Sequence, residues 1–186
     1  MCTIVPRIFF IDNLPAMQTW TTKSRRSVYR QLPWLEVELH EVALPDGRII
    51  PDWTWVITPA FVNVVAITDD DRFICFRQVK YAVQGTTLAT VGGYCEPNED
   101  HRVAAERELM EETGYTAKTF THLGSFPVDG NRGSGIAHLW LATGAHKVAA
   151  INADDLEEQE MMFLSRDEVK RALFADIALL KTESAP

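Results

Sequence analysis

The segment from Gly92 to Tyr115 constrains this chain more than any other, because it joins a glycine pair to a strongly acidic helical stretch. It reads GGYCEPNEDHRVAAERELMEETGY. On a helix, Glu108, Glu111 and Glu112 occupy positions i, i+3 and i+4, so their carboxylates share one face within about one turn. Like charges at this spacing repel each other by roughly 0.2–0.5 kcal/mol per pair. The pattern predicts either a solvated acidic face or a site where a cation neutralises the carboxylates.

The residues around the glutamates add reasons to expect a cation, although a solvated face is common on acidic proteins. Carboxylate oxygens are hard ligands suited to Mg²⁺ or Mn²⁺, and Arg107 adjoins the cluster, where it can hold a carboxylate by a bidentate pair. Gly92 and Gly93 let a ligand approach the backbone closely, and a glycine loop that leads into a helix N-terminus favours anions. Asp100 is the predicted N-cap and Gly114 the predicted stop of this helix.

The rest of the chain indicates a mixed α+β architecture. Apolar, β-branched runs predict strands at residues 61–68, 72–79 and 137–142. Helices are predicted at 103–113 and from Ser165 onward. Strands therefore precede and follow one helix and a second helix closes the chain, which differs from alternating βαβ units.

Charge and composition restrict the classes of partner. The net charge is −8, and non-specific nucleic-acid binding usually needs a basic face, so no nucleic-acid partner is expected. No stretch approaches the ~20 apolar residues that span a bilayer, and the N-terminus has no signal peptide of the usual form, so no membrane partner is expected. The three cysteines are scattered and suggest no disulfide framework, which predicts a cytoplasmic setting.

The complete spacing of the acidic segment resembles the signature box of the Nudix hydrolase family. The matching positions are Gly93, Glu99, Arg107, Glu108, Leu109, Glu111, Glu112 and Gly114. With background composition, a chance match in a chain of this length is on the order of one in a million. The resemblance implies the Nudix fold, a mixed β-sheet sandwiched between helices (α/β/α), in which the box forms a loop–helix–loop.

Weaker matches extend the resemblance over roughly residues 28–168 and point to the branch of ADP-ribose pyrophosphatases and nucleoside-diphosphate-sugar hydrolases. They are LPDGR at 44–48, FRQVKYAV at 76–83 and DDLEEQEMMFLS at 154–165. The branch implies hydrolysis of a diphosphate bond in a nucleoside-diphosphate-linked small molecule, giving a nucleoside monophosphate and a sugar phosphate. Alternatives are a nucleoside tri- or diphosphate or dinucleoside polyphosphate as substrate and, in another class, a catalytically silent ligand sensor on the same fold.

The resemblance also implies roles for the residues of the box. Glu108 and Glu112 would be metal ligands, with Glu111 as a further ligand or as the general base. The carbonyl of Gly92 would complete the inner shell, and Arg107 would orient the glutamates. Mg²⁺ is the expected ion, with Mn²⁺ as an alternative.

Other residues are expected to bind the substrate. Lys80 falls where the branch has an arginine that contacts substrate phosphate, and Arg132 is expected to contact phosphate as well. Gly93 belongs to the loop that favours an anion. Trp53 and Trp55 alternate along a strand and so share one face; they either stack on a nucleobase or pack in the core or a dimer interface.

Two departures from the branch bear on the substrate and the base. A glutamate is common four residues before the box glycine, where this chain has Ala89, and another is common in the loop at 127–135, which has none here. The departures count against ADP-ribose itself as the substrate, but they do not affect the prediction of diphosphate hydrolysis. They leave a helix glutamate, Glu111 or Glu112, or the loop carboxylate Asp129 as the general base; we favour the helix, because its position does not depend on a flexible segment.

Residues 1–35 are interpreted as an N-terminal extension that forms a strand and contacts a partner, and residues 36–186 as the Nudix domain. The first 60 residues contain several tryptophans and are too apolar for a disordered tail. Relatives in the family are often dimers whose N-terminal strands cross to the partner, so a homodimer is predicted. His101 and His138 show no partner at a ligand spacing, and no function is predicted for them.

Overall fold

In the computed structural model, the described residues are 17–151 and 158–182, with side chains described as far as residue 174. The chain divides into two compact units. The first consists of Met1–Pro59 and Phe126–Ile136, and the second of Ala60–Ser125 and Ala137–Pro186.

The first unit contains an antiparallel three-stranded meander. Its strands are β1 (Thr21–Gln31), β2 (Leu35–Ala43) and β3 (Ile49–Ile57). β2 buries Glu36, His40 and Val42 on one face, at the even spacing of a half-buried strand. The turn that leads to β3 contains Pro45, Asp46 and Gly47, and Gly47 has φ 86°, a conformation that favours glycine.

The second unit is built on a mixed sheet. Its strands are β4 (Phe61–Thr68), β5 (Phe73–Val79), β6 (Thr86–Ala89), β7 (Val91–Tyr94), β8 (Tyr115–Thr116), β9 (Thr119–Asp129), β10 (Gly133–Lys147) and β11 (Gln159–Leu164). β4 pairs in parallel with β10 and antiparallel with β5 and β7. β5 also pairs with β6 and β11, whereas β8 and β9 pair with β10. The ends of β9 and β10 at 126–129 and 133–136 belong to the first unit.

The structure contains helices α1 (His101–Thr113) and α2 (Arg166–Thr182); α1 begins and ends at the predicted signals, and α2 begins where the sequence predicts. The Asp100 carboxylate caps α1 by accepting from the Arg102 amide at 2.8 Å, and Gly114 ends it in the left-handed conformation with φ 74°. Ser165 and Glu168 form a reciprocal capping box at the start of α2. The predicted caps of α1 and the predicted start of α2 at Ser165 are therefore confirmed.

Helix α1 is held against the strands of the second unit by small and aliphatic side chains. Ala104, Ala105 and Leu109 are fully buried, and the helix packs on β4 and β7. Because alanine lets the helix approach the sheet closely, the packing fixes α1 beside β7, the strand that carries the glycine pair of the box. The core thus sets the distance between the two parts of the box.

Two segments show what sequence patterns leave undetermined. Residues 127–135, predicted as a flexible loop, form the end of β9, a turn and the start of β10; positive φ at Gly133, Ser134 and Gly135 explains why their composition resembles a loop. Residues 21–31 form the strand expected of the N-terminal extension, although no periodicity marks it. Every residue of β1 is exposed, so the alternation that marks a half-buried strand is missing.

The mixed sheet and the two helices confirm the predicted α+β class. Among the described residues, no helix is both long enough and apolar enough to cross a bilayer. Residues 1–16 of the predicted extension and 154–157 of the acidic stretch lie outside the described residues.

Candidate active site

Arg107 of α1 is the centre of a carboxylate cluster in the second unit. Its Nε donates to Glu99 Oε1 and its Nη2 to Glu99 Oε2, both at 2.9 Å. This is a bidentate pair, the strongest geometry for an arginine and a carboxylate. Nη2 also donates to the Tyr94 carbonyl at 3.0 Å. Arg107 therefore ties the helix to the loop that precedes it.

The same guanidinium contacts the helix glutamates. Its Nη1 donates to Glu108 Oε1 at 2.8 Å and to Glu111 Oε2 at 3.0 Å. Glu99 and Glu108 are largely buried, with side-chain exposures of 10% and 12%, whereas Glu111 is 44% exposed. One arginine thus orients three carboxylates, and Glu111 is the one that solvent reaches most easily.

The glycine pair brings backbone next to these carboxylates. The Gly92 amide donates to Glu112 Oε2 at 3.2 Å, so the fourth acidic side chain of the box is held by β7. A Cβ on Gly93 would overlap the Glu108 carboxylate, and a Cβ on Gly92 would lie 2.6 Å from the Val62 carbonyl oxygen. Only glycine fits at either position, because any larger residue would displace a carboxylate or the neighbouring strand.

The carboxylates of the cluster carry more negative charge than the single Arg107 guanidinium neutralises. Burial raises the pKa of Glu108, and the nearby charge of Glu111 adds to this effect, while Arg107 opposes it. The hydrogen bonds from Arg107 lower the pKa of Glu99, and the same bond to Glu99 is the largest cause of the raised pKa of Arg107. One guanidinium therefore faces several acidic groups, and the remaining negative charge suits a cation.

The donor set fits a hard divalent ion. Glu108, Glu111 and Glu112 offer carboxylate oxygens, which Mg²⁺ and Mn²⁺ prefer to nitrogen or sulfur. An ionised carboxylate has about four acceptor positions on its two oxygens, so a carboxylate that accepts a hydrogen bond can also ligate an ion. The residues predicted as ligands are thus compatible with such an ion.

The first unit contains a pocket of about 320 Å³. Its lining includes Trp20, Trp53, Trp55, His40 and Asn131. Trp53 and Trp20 pack edge to face with ring centroids 5.0 Å apart, and Trp55 stacks on His40 at 5.4 Å. The predicted sharing of one face by Trp53 and Trp55 agrees with their common place in this lining.

The turn between β9 and β10 forms one side of this pocket. Asp129 Oδ1 accepts from the amides of Asn131 and Arg132 at 2.8 and 3.2 Å, which closes the turn. The Asn131 carbonyl accepts from Trp53 Nε1 at 2.9 Å, and the Arg132 guanidinium lies over the Trp53 ring at 5.5 Å from its centroid. Asp129 therefore has a structural use, and Arg132 contacts an aromatic ring.

Lys80 lies directly after β5, in the segment that leads to β6, with an exposed side chain.

The hydrogen bonds of the carboxylate cluster bring together Arg107, Glu108 and Glu111. Glu112 joins through Gly92. The cluster therefore unites the predicted metal and catalytic residues within one unit.

Sequence reasoning gave too little weight to two features. Glu99 appeared only as a box position, but its bidentate pair makes it the main anchor of Arg107. His101, His122 and His138 form a group whose ligand atoms lie within 4.8 Å of one another. Their positions, on α1, β9 and β10, are too far apart in sequence for any spacing motif to reveal them.

Two family profiles together match nearly the whole described chain. The NUDIX domain matches residues 58–181, and the nucleoside diphosphate sugar hydrolase N-terminal domain matches residues 20–56. A solved structure of an ADP compounds hydrolase superposes with a TM-score of 0.67 at 20% sequence identity, over 92% of this chain and 99% of that one. This superposition supports the predicted Nudix fold.

Curated relatives are similar over shorter spans. The chain is 32% identical to a methanol dehydrogenase activator of Bacillus methanolicus over 130 residues, which are 70% of this chain and 69% of that protein. It is 32% identical to an ADP-ribose pyrophosphatase of Bacillus subtilis (strain 168) over 108 residues, or 58% of each protein. The domain match, the shared fold and the intact box glutamates agree, and the chain belongs to the Nudix hydrolase family.

Proposed function

We propose that this protein hydrolyses the diphosphate bond of a nucleoside-diphosphate-linked small molecule, with an ADP-ribose-like nucleoside diphosphate sugar as the leading substrate class. The observation that carries the proposal is the arginine-centred cluster, in which Arg107 contacts Glu99, Glu108 and Glu111 beside the glycine pair. A cluster that had lost its catalytic function would not need to keep every acidic side chain of the box.

The comparisons support this substrate class. One curated relative is an ADP-ribose pyrophosphatase, and another, 26% identical over 154 residues, is a CMP-5'-(N-acetyl-N-hydroxy-3-aminopropyl)phosphonate hydrolase of Streptomyces rubellomurinus (strain ATCC 31215). Both names describe a nucleotide joined to a second group. The N-terminal match to the nucleoside diphosphate sugar hydrolase domain also supports a nucleotide joined to a second group as the substrate.

The proposed cofactor is Mg²⁺, with Mn²⁺ as a substitute. Glu108, Glu111, Glu112 and the carbonyl of Gly92 would hold it. When bound, such an ion polarises phosphoryl oxygens and lowers the pKa of a water molecule. Its charge would also remove the repulsion among the glutamates, which accounts for their retention on one helix face.

The chain's own residues have separate tasks in this proposal. Arg107 is proposed as a positioning residue, because its donors go to the carboxylates and to the Tyr94 carbonyl. Glu111 is our preferred general base, with Glu112 as the alternative: Glu111 is the most exposed carboxylate that Arg107 orients, so an attacking water can reach it and transfer its proton to Oε1 or Oε2. Lys80 and Arg132 are proposed to bind substrate phosphate, where positive charge stabilises the developing negative charge, and Gly93 leaves room for the anion.

The aromatic pocket of the first unit is proposed to bind the nucleobase. Trp53 and Trp55 present flat apolar surface, and stacking of a base on such rings contributes ~1–3 kcal/mol. The volume of about 320 Å³ lies at the lower end of the range for small-molecule sites, ~300–1,000 Å³. Asn131, which lines the same pocket, has a side-chain amide of the kind that hydrogen-bonds the polar edges of a base.

A substrate panel with Mg²⁺ tests the proposal. Hydrolysis of a nucleoside diphosphate sugar to a nucleoside monophosphate and a sugar phosphate is the expected result. Turnover of nucleoside triphosphates or dinucleoside polyphosphates without turnover of sugar conjugates would replace the substrate class. Binding without turnover across the panel would favour the ligand sensor.

A matched pair of variants tests the cluster. Glu112→Gln removes one proposed ligand and should lower kcat by ~10²-fold or more, the scale of general base and metal catalysis. Glu106→Gln changes the same residue type on the same helix, where Glu106 pairs with Arg102 at the exposed surface, and should retain activity. Equal activity in the two variants would refute the metal assignment.

We also propose a cytoplasmic homodimer. β1 is a fully exposed edge strand that carries Val28 and Tyr29, with Trp20 and Trp34 exposed beside it. An exposed edge with apolar side chains is a surface that pairs with another chain. Light scattering at micromolar concentration should give twice the 21.0 kDa chain mass, and a monomer mass would contradict the assembly.

A further inference from the structure

The second unit contains a histidine cluster, formed by His101, His122 and His138, that the carboxylate chemistry does not use. His101 is the first residue of α1, His122 lies in β9 and His138 in β10. One ring nitrogen from each lies within 4.8 Å of the others. Three imidazoles from three elements therefore lie side by side, with the His101 and His138 rings stacked at 4.3 Å between centroids and the His101 and His122 centroids 4.8 Å apart.

Hydrogen bonds within the cluster leave nitrogen capacity unused. The Ser125 hydroxyl lies between His122 Nε2 at 3.0 Å and His138 Nδ1 at 2.7 Å. Among the described residues, His101 Nδ1 is buried without a hydrogen-bond partner. A buried polar nitrogen without a partner is rare in folded proteins and calls for a ligand or an ion.

We propose that the histidine cluster binds a transition-metal ion, with Zn²⁺ as the physiological candidate. Neutral imidazole suits Zn²⁺, Cu²⁺ and Ni²⁺, whereas Mg²⁺ prefers oxygen. Zn–N bonds of about 2.0–2.1 Å in a tetrahedral site put the nitrogens roughly 3.4 Å apart. To reach this spacing the rings, of which His101 and His138 are stacked, would turn about the terminal side-chain torsion of histidine, which is soft.

The surroundings of the histidine cluster are compatible with a bound cation. The positive end of the α1 dipole opposes a cation beside His101, but the Asp100 carboxylate adjoins it in sequence and caps the same turn. Trp140 is buried and its ring lies 4.9 Å from His122 and 5.4 Å from His101. This apolar side limits solvent access, and an ion here would tie the start of α1 to β9 and β10.

Direct metal titration of the untagged chain tests the site. The chain is stripped with a chelator and titrated with Co²⁺ in millimolar Mg²⁺, so that the carboxylate cluster is saturated while d–d absorption reports nitrogen coordination. We expect one equivalent of Co²⁺, displaced by Zn²⁺. His122→Gln, at an exposed position, and His138→Gln should each weaken binding by ~10²-fold, since each removes a ligand.

Two controls separate this site from the proposed active site. His146→Gln changes a histidine of β10 outside the cluster and should bind Co²⁺ as the wild type does. Glu112→Gln should also keep Co²⁺ binding even though it lowers kcat by ~10²-fold or more. Zn²⁺ should raise the Tm of the wild type, by ~5–10 °C at a concentration a hundredfold above Kd, and leave that of His122→Gln unchanged. Equal Co²⁺ affinity in wild type and His122→Gln, or loss of binding in Glu112→Gln, would overturn the proposal.

Discussion

The carboxylate cluster and the aromatic pocket differ in what holds them together. Arg107 makes ion pairs to Glu99, Glu108 and Glu111 at 2.8–3.0 Å, so the cluster is organised by charge around a single side chain. The pocket is organised by ring packing, with Trp53 against Trp20 and Trp55 against His40. In the proposed function, charge geometry sets the rate of the chemical step and ring surface sets the affinity for the nucleoside.

Because of this difference, variants of the two regions should change different kinetic parameters, kcat for the cluster and KM for the pocket. An interaction that acts only in the transition state changes kcat, whereas one that contributes equally to ground state and transition state changes KM. Variants of the cluster should therefore lower kcat, and variants of the pocket should raise KM. A variant that moves the other parameter would break the division of tasks between the two regions.

The largest effect is expected from Arg107→Met. The substitution leaves Glu99 and Glu108 largely buried without their guanidinium partner, so their charges repel and the helix glutamates lose their orientation. We expect kcat to fall by ~10²-fold or more, because small misplacements of catalytic groups cost that much. The free energy of unfolding should fall by about 3 kcal/mol, since breaking a buried ion pair leaves uncompensated charge. Steady-state kinetics and denaturant unfolding measure the two effects.

Arg102→Met is the matched control for that variant. Arg102 lies on the same helix and pairs with Glu106, but both side chains are exposed, at 61% and 44%. Exposed pairs at this spacing contribute about 0.3–0.5 kcal/mol. Activity should be retained. A loss of activity as large as in Arg107→Met would mean that helix α1, rather than the arginine-centred geometry, is what both substitutions damage.

A smaller effect is expected from Trp53→Leu. Loss of ring stacking should raise KM for a nucleoside diphosphate sugar by ~10-fold and leave kcat within about threefold, which corresponds to ~1.4 kcal/mol of a stacking term of ~1–3 kcal/mol. Trp53→Phe keeps an aromatic ring, so its KM should lie between those of the wild type and Trp53→Leu. Phe174→Leu changes an exposed aromatic residue of α2 outside the pocket lining and should match the wild type. A fall in kcat with unchanged KM would place Trp53 outside base recognition.

The sequence predicted the carboxylate cluster well because its residues are close together along the chain. Helical geometry alone places Glu108, Glu111 and Glu112 on one face, and the caps at Asp100 and Gly114 are local signals that the structure confirms. The family resemblance supplied the rest. The role of Glu99 as the bidentate anchor of Arg107 depends on the loop conformation, which spacing does not determine.

The remaining sites depend on contacts between distant segments. The pocket brings together Trp20, Trp53 and Asn131, and the histidine cluster unites His101, His122 and His138. Strand pairing sets these distances, and β1 lacks the alternation from which pairing is usually inferred, since all its side chains are exposed. Local patterns therefore do not reveal such sites.

The smallest effect is expected from Asp129→Asn. Asp129 closes the turn that places Asn131 and Arg132 beside Trp53, through one carboxylate oxygen that accepts two backbone amides. Asparagine keeps an oxygen at that place, so the turn and the pocket should survive, and the loss of charge should matter little if the general base is on α1. We expect kcat and KM within about threefold of the wild type, far below the ~10²-fold cost of removing a general base. Asp129→Ala, in contrast, should raise KM, because it removes the acceptor that holds the turn. If Asp129→Asn instead lowers kcat ~10²-fold while the affinity for Mg²⁺ stays unchanged, the general base belongs to the β9–β10 turn, and the two regions share the chemical step rather than dividing rate from recognition.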